Sequence, residues 1–256
     1  MFLGFNMLRS VIEAGKNITD ISFMAEDTLS LDKLAKENGV TAVVDMGVAP
    51  GMSHLLVGYV DSLLDETESA IILVGRLPVI REWPYEYKIA WFPKDVIEEY
   101  IRPARLMERG KITEKTALSE IELVDLPKIG TLEAFNADGL HSLLYTLDIP
   151  EMKEKTLRYP GYAEKMRMLR ETGFFDENPI DIKGVKIKPL DLTSELLFPK
   201  WKLKEDEDEL TVMRVMVQGK KDGKRLRYTY DLLDYYDKEE KATSMSRATG
   251  FPCAIL

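Results

Sequence analysis

The chain has 256 residues, 45% of them apolar and 31% charged, with a formal net charge of -9 and one cysteine. This composition fits one large or two small globular domains, and an acidic surface repels polyphosphate, so nucleic acid and anionic membranes are not expected as main partners. One cysteine and two histidines, His54 and His141, exclude a disulfide framework and a Cys/His metal cluster, which points to the cytoplasm.

In chain order, Phe5, Leu8, Val11 and Ile12 recur at helical spacing, predicting a helix to about Ala14 that stops at Gly15. Ile18–Phe23 reads as a short strand. Ser30 is a candidate cap for a helix ending at Gly39, and Val40–Met46 is an apolar run of the kind buried in a parallel sheet. The turn Gly47–Gly51 leads into a helix over Met52–Leu64, with Leu55, Leu56, Tyr59 and Leu63 expected on its packed face. Strands are predicted at Ala70–Gly75, Tyr85–Phe92, Ala104–Glu108, Ile121–Leu126 and Thr131–Phe135, and helices at Asp138–Leu147 and Ala163–Thr172. Lys202–Glu209 is a charge run expected in a solvated turn. Leu210–Val217 and Leu226–Leu232 flank an Asp-Gly pair, predicting a hairpin of two exposed strands.

None of the 16 glycines is followed by another two positions on, so neither GxGxxG nor a P-loop is present. GxSxG and HExxH are absent as well. The turn Gly47-Val48-Ala49-Pro50-Gly51 joins the end of a strand to a helix, the place where open α/β sheets bind ligands; a purely structural turn has the same pattern. His54 lies early on the helix after it, and His141 between Leu140 and Leu143 reads as a packing residue. Trp83, Tyr85, Tyr87 and Trp91 cluster around Lys88, as a strand core or a ligand wall.

DISFMAED (20–27), VVDMGVAPGMSHLL (43–56), YKIAWFPKDVIEEYIRPAR (87–105), TLRYPGYAEKMRMLRETGFF (156–175) and SMSRATGFPCAI (244–255) resemble the saccharopine dehydrogenase-like family, and within it the lysine 6-dehydrogenase-like branch. The resemblance implies the C-terminal half of a Rossmann-type dinucleotide-binding domain over residues 1–50. A mixed or antiparallel α+β substrate and dimerisation domain follows over 51–243, with a return segment at 244–256. It also implies that roughly 80 family residues carrying the GxGxxG turn precede the segment matching this start, and that the family continues past Ile255.

The implied activity is NAD- or NADP-dependent oxidoreduction at a C–N bond of an amino acid or amine, with lysine 6-dehydrogenation first, a carboxynorspermidine- or saccharopine-type reductase as the alternative, and a non-catalytic remnant as a third reading. By position, Ser22, Phe23, Gly47, Val48, Pro50 and Gly51 are implied cofactor contacts, and His54, Asn136 and Asp138 substrate contacts. Lys88 and Arg158 are candidate cations for a substrate carboxylate. Ala49 and Ala137 stand where saccharopine reductases carry an aspartate and an arginine, favouring a smaller substrate such as lysine or a polyamine. A homodimer is implied, and no catalytic base is singled out.

Overall fold

The computed structural model describes residues 4–24, 26–89, 93–204 and 207–255, without the side chains of 93–95. Helix α1 (Gly4–Glu13) buries Leu8 and Ile12, two of the residues whose spacing predicted it. Strands β1 (Ile18–Thr19) and β2 (Ala42–Val43) pair in parallel, with a 3-10 turn (Thr28–Leu31) and helix α2 (Asp32–Glu37) between them. Both strands are shorter than their apolar runs. The Asp20 carboxylate accepts from the Ser22 backbone N–H and hydroxyl and turns the chain out of the ladder, and Asp45, at φ 56°, ends the second strand. The N-terminal cap of the 3-10 turn is Asp27, which accepts from the Leu29 N–H, rather than Ser30.

Helix α3 (Met52–Leu63) follows the Gly47–Gly51 turn. Its packed face carries Ser53, Val57 and Val60; Leu55 and Tyr59, expected inside, are 51% and 57% exposed. The apolar stripe of this helix is wide enough for two registers, and the sheet beneath selects between them.

That sheet has eight strands: β3 (Glu66–Pro78), β4 (Ala104–Glu108), β5 (Lys111–Lys115), β6 (Glu122–Leu126), β7 (Gly130–Asn136), β8 (Met152–Arg158), β11 (Glu209–Lys221) and β12 (Lys224–Tyr235). The order β12-β11-β3-β8 forms its spine, and beyond β8 it forks, with β7 pairing the end of β8 and β4 meeting it at Met152. Only β3 and β8 run parallel, so the sheet is mixed. Outside it lie α4 (Pro93–Ile101), α5 (Leu143–Thr146), α6 (Tyr162–Glu171), the small hairpin β9 (Ile180–Ile182) and β10 (Val185–Ile187), α7 (Pro189–Trp201) and α8 (Ser244–Ile255).

Period two along β3 sends Ala70, Ile72 and Val74 into one core with Val57, Val60, Val215 and Val217, and Leu73 and Leu77 into a second core with Leu157 and Val212. A third core stacks Tyr87, Tyr100, Tyr162 and Trp201 between α4, α6 and α7. Four expectations change here. Tyr85–Ile89 is not a strand, with only Ile89 bridging to Lys202, while residues 90–92, Trp91 among them, lie outside the described residues. The helix expected over Asp138–Leu147 contracts to α5, because His141 sits at φ 38° and interrupts it. The hairpin is not exposed on both strands: β11 lies between β3 and β12 with Val212, Val215 and Val217 buried. The charge run ends inside the protein, where Glu209 is fully buried against Arg76. Alternation alone cannot distinguish an edge strand from one that later pairing encloses.

Candidate active site

The Gly47–Gly51 turn is built by close backbone approach. Gly51 has φ 138°, and a Cβ there would overlap the Gly47 backbone, so only glycine fits. Met52 N–H donates to Gly47 O and Ser53 N–H to Val48 O, which starts α3 directly from the turn. On the other side of the turn a cavity of about 570 Å³ opens. Ile21, Phe23 and Gly47–Pro50 form one wall; Val74–Arg76 of β3 and Glu154, Thr156 and Arg158 of β8 form the floor. Glu99 and Arg102 of α4, Ala137–Gly139, and Thr243, Ser246 and Thr249 at α8 close it.

The floor is a product of strand period: Glu154, Thr156 and Arg158 alternate with Lys155 and Leu157 and so face one side of β8. Strand β8 was not expected from the sequence, because E-K-T-L-R has four polar residues in five and no alternation that marks this face.

The charges in the cleft are mostly paired. Arg76 is bound to Glu209 at 2.8 Å, with both side chains almost wholly buried. Arg158 stacks over Tyr87, 4.6 Å from the ring centroid, and reaches Glu99 at 3.4 Å. Asp138 accepts from Arg105 Nε and Nη2 at 2.9 and 3.0 Å in a bidentate pair and lies 3.3 Å from Arg102. Burial works to raise the Asp138 carboxyl, but Arg105 and Arg102 outweigh it and hold it below the usual range.

Glu154 stands apart from this pattern. Its side chain is buried, its Oε2 has no hydrogen-bond partner among the described residues, and the carboxyl lies so close to Gly139 that a Cβ there would overlap it. Burial, then the negative charges of Asp138, Glu99 and Asp45, push its pKa up to about 8.

Beside the cavity, Asp45 accepts from the Ser142 N–H at 3.1 Å and lies 3.3 Å from His141 Nδ1. Burial alone would raise Asp45, but these hydrogen bonds bring it down to about 2. The His141 ring stacks on Phe23 with centroids 4.7 Å apart, and Arg102 lies 4.8 Å from the Phe23 centroid. Phe23 is thus fixed by a histidine that the sequence reading assigned to packing.

Of the residues singled out from the sequence, Phe23, Gly47, Val48, Pro50, Asp138 and Arg158 come together around the cavity. Ser22 is engaged with Asp20. Gly51 and His54 line a separate, open depression of about 450 Å³ on the α3 side. There His54 Nε2 lies 3.1 Å from Gly139 O, and burial, opposed by Asp45 and that carbonyl, lowers its pKa to about 4. Asn136 is buried behind the cleft and donates to Ser119. Lys88 lies away from it, between Glu82 at 2.9 Å and Glu207 at 3.0 Å. Arg76, Glu99, Arg102 and Glu154 line the cleft without having been singled out.

Residues 47–256 match the family model of the saccharopine dehydrogenase C-terminal domain. The chain belongs to that family. It is 22% identical, over 98% of its length, to the NADP(+)-dependent, L-glutamate-forming saccharopine dehydrogenase of Pyricularia oryzae, of which the match covers 58%. It is 25% identical over 85% of its length to carboxynorspermidine synthase of Vibrio cholerae, of which the match covers 53%. Across the curated relatives the matched segment spans between 17% and 58% of their own length. Among solved structures, apo saccharopine dehydrogenase (L-Glu forming) from Saccharomyces cerevisiae superposes with a TM-score of 0.75, at 19% identity, over 98% of this chain and 72% of that one. That likeness shows the mixed α/β fold. The resemblance read from the motifs thus holds at the level of the saccharopine dehydrogenase family, without singling out its lysine 6-dehydrogenase-like branch. No helix among the described residues is long and apolar enough to cross a membrane.

Proposed function

We propose that this chain supplies the substrate-binding half of an NAD(P)-dependent oxidoreductase that acts on the C–N bond of a secondary amine joining an amino acid to a second carbon chain, as in saccharopine or a carboxyalkyl polyamine. The observation that carries the reading is the charge pattern of the cleft. Arg76, Arg102 and Arg158 line it together with Glu99, Asp138 and the buried Glu154, beside the Gly47–Pro50 turn. A ligand with several carboxylates and an ammonium matches such a surface, because arginines and carboxyl groups that pair with one another in its absence can be shared with its charges.

The departure at Ala137 argues less strongly for a small substrate once the fold is considered. The arginine absent from that position has spatial counterparts in Arg102 and Arg105, which reach the neighbouring Asp138 from α4 and β4.

A nicotinamide fits the wall of Phe23, Gly47, Val48 and Pro50, where backbone and small side chains leave room for a flat ring and Phe23 is fixed by His141. When bound there it would accept or give the hydride. The work of this chain is to orient the C–N bond against that wall. The phosphate-binding turn is not in this sequence, so these residues would hold the nicotinamide end of the cofactor and not its phosphates.

A second reading, oxidation of lysine itself, is favoured by Ala49, which lines the cavity with a methyl group and offers no partner to an additional charge. The two are separated by nicotinamide absorbance assays on the full-length protein with saccharopine, carboxynorspermidine and L-lysine. Turnover of a carboxyalkyl secondary amine is expected; turnover of lysine alone would refute the first reading in favour of the second. The implied homodimer belongs to the same proposal, and sedimentation of the purified protein tests it.

A further inference from the structure

We propose that Glu154 is the residue that exchanges a proton with the substrate nitrogen in this cleft. The inference rests on the C–N bond reading above and goes further by naming the group that handles the proton.

Three features single out Glu154. Its carboxyl lines the cavity from the middle of the sheet, where its own strand β8 pairs with β3 at Ile72 and the carboxyl packs against Gly139. It is buried, and its Oε2, shielded from solvent, has no hydrogen-bond partner among the described residues, an environment that disfavours the ionised form. Every other acid lining the cleft is held by a cation: Asp138 by Arg105 and Arg102, and Glu99 by Arg158. The groups that face it are Asp138 after β7, Glu99 and Arg102 of α4, Asp45 after β2, Arg76 of β3 and Arg158 of its own strand. The α8 end contributes Thr243, Ser246 and Thr249, none of which titrates near neutral pH. The acids and burial keep the carboxyl protonated near neutral pH, with a pKa of about 8, so at pH 7 it is available as a donor and close to ionising as an acceptor.

In the oxidative direction the Glu154 carboxylate takes one proton from the secondary ammonium. The freed lone pair forms the C=N bond as the neighbouring carbon gives its hydride to the nicotinamide oxidant. Water then adds to that carbon and releases a proton to solvent. Glu154 returns its proton to the nitrogen, and the C–N bond breaks as the hydroxyl proton moves to the departing amine. An aldehyde and an ammonium remain, and the carboxylate is restored. In the reductive direction hydride adds to the protonated imine first, and the same carboxylic acid then gives its proton to the secondary amine nitrogen.

Two measurements on the full chain test this. Infrared titration of the ligand-free protein is expected to show one protonated carboxyl that persists at pH 7 and is absent from Glu154→Gln; ionisation of that group below pH 6 would overturn the proposal without touching the functional reading. Calorimetry with saccharopine in buffers of different ionisation heat is then expected to show close to one proton released per bound molecule at pH 7, as the acid and the ammonium come to share a single proton, and almost none with Glu154→Gln. Binding with equal proton release in both proteins overturns the role of Glu154 and leaves the functional reading standing. If the wild-type chain binds neither saccharopine nor carboxynorspermidine, both fall. Should the Gln variant not fold, the infrared titration of the wild type still decides.

Discussion

Replacing Glu154 by glutamine is expected to stabilise the protein at neutral pH. The carboxyl titrates at 4.5 in its ordinary state and near 8 in the folded protein. A group with a raised folded pKa contributes stability that is fully present below its unfolded pKa and is lost as pH rises through the folded value. At pH 7 the unfolded chain is ionised at this position while the native state holds the proton. At about 1.4 kcal/mol per pH unit, the 2.5 units between pH 7 and 4.5 amount to roughly 3 kcal/mol against folding. Glutamine has nearly the same shape and no charge to suppress, so Glu154→Gln should gain up to about 3 kcal/mol, or roughly 6 °C in Tm for a chain of this size. Urea unfolding of both proteins from pH 4.5 to 9 measures this. The two curves should meet near pH 4.5, separate steadily to about pH 8, and run parallel above it. A Gln variant that is less stable than wild type at pH 7, with an unchanged pH profile, would show that the carboxyl is ionised in the fold and remove the basis for its proton-exchange role.

His54 should show the opposite limb. Its folded pKa of about 4 lies below the ordinary 6.5, so its contribution is present above 6.5 and lost as pH falls through 4. His54→Gln should remove roughly 3 kcal/mol of acid sensitivity, and an NMR titration midpoint near 6.5 would contradict this. Arg76→Met and Glu209→Gln each leave a buried partner uncompensated and should cost about 3–5 kcal/mol in urea unfolding, with the double variant losing less than the sum. Additive losses would mean that the pair is not coupled. Val57→Ala should cost about 2 kcal/mol and Leu55→Lys less than about 0.5 kcal/mol, a contrast that reverses if the helix packs on the face its sequence suggested. Arg102→Met should weaken saccharopine binding about 30-fold, the equivalent of about 2 kcal/mol, while unchanged affinity would remove Arg102 from the carboxylate site.

Much of the fold was legible because it is encoded locally. The spacing of Leu8 and Ile12, the Gly-Val-Ala-Pro-Gly turn and the Asp-Gly pair each specify an element through contacts a few residues long. Helix α4 and strand β8 were not legible. The first begins at a proline after a segment rich in aromatic residues, which reads as strand, and the second mixes charges that look exposed until both of its neighbours are known. The packed face of α3 and the burial of β11 were misread for a related reason: an amphipathic pattern offers faces, and the partner chooses among them.

By itself the sequence determined that the chain carries a turn into a helix at Gly47–Gly51, that it lacks a glycine-rich phosphate turn, and which family motifs it shares. The tertiary structure alone decided which charges meet. Asp45, Glu99, Asp138 and Glu154 are scattered over more than a hundred positions, and the pKa of Glu154 is set by their convergence and by exclusion of water. Neither burial nor field is a property of a residue's sequence neighbours. A glutamate in an unremarkable run, Lys153-Glu154-Lys155, therefore becomes the acid of the cleft only when the strands and helices around it close.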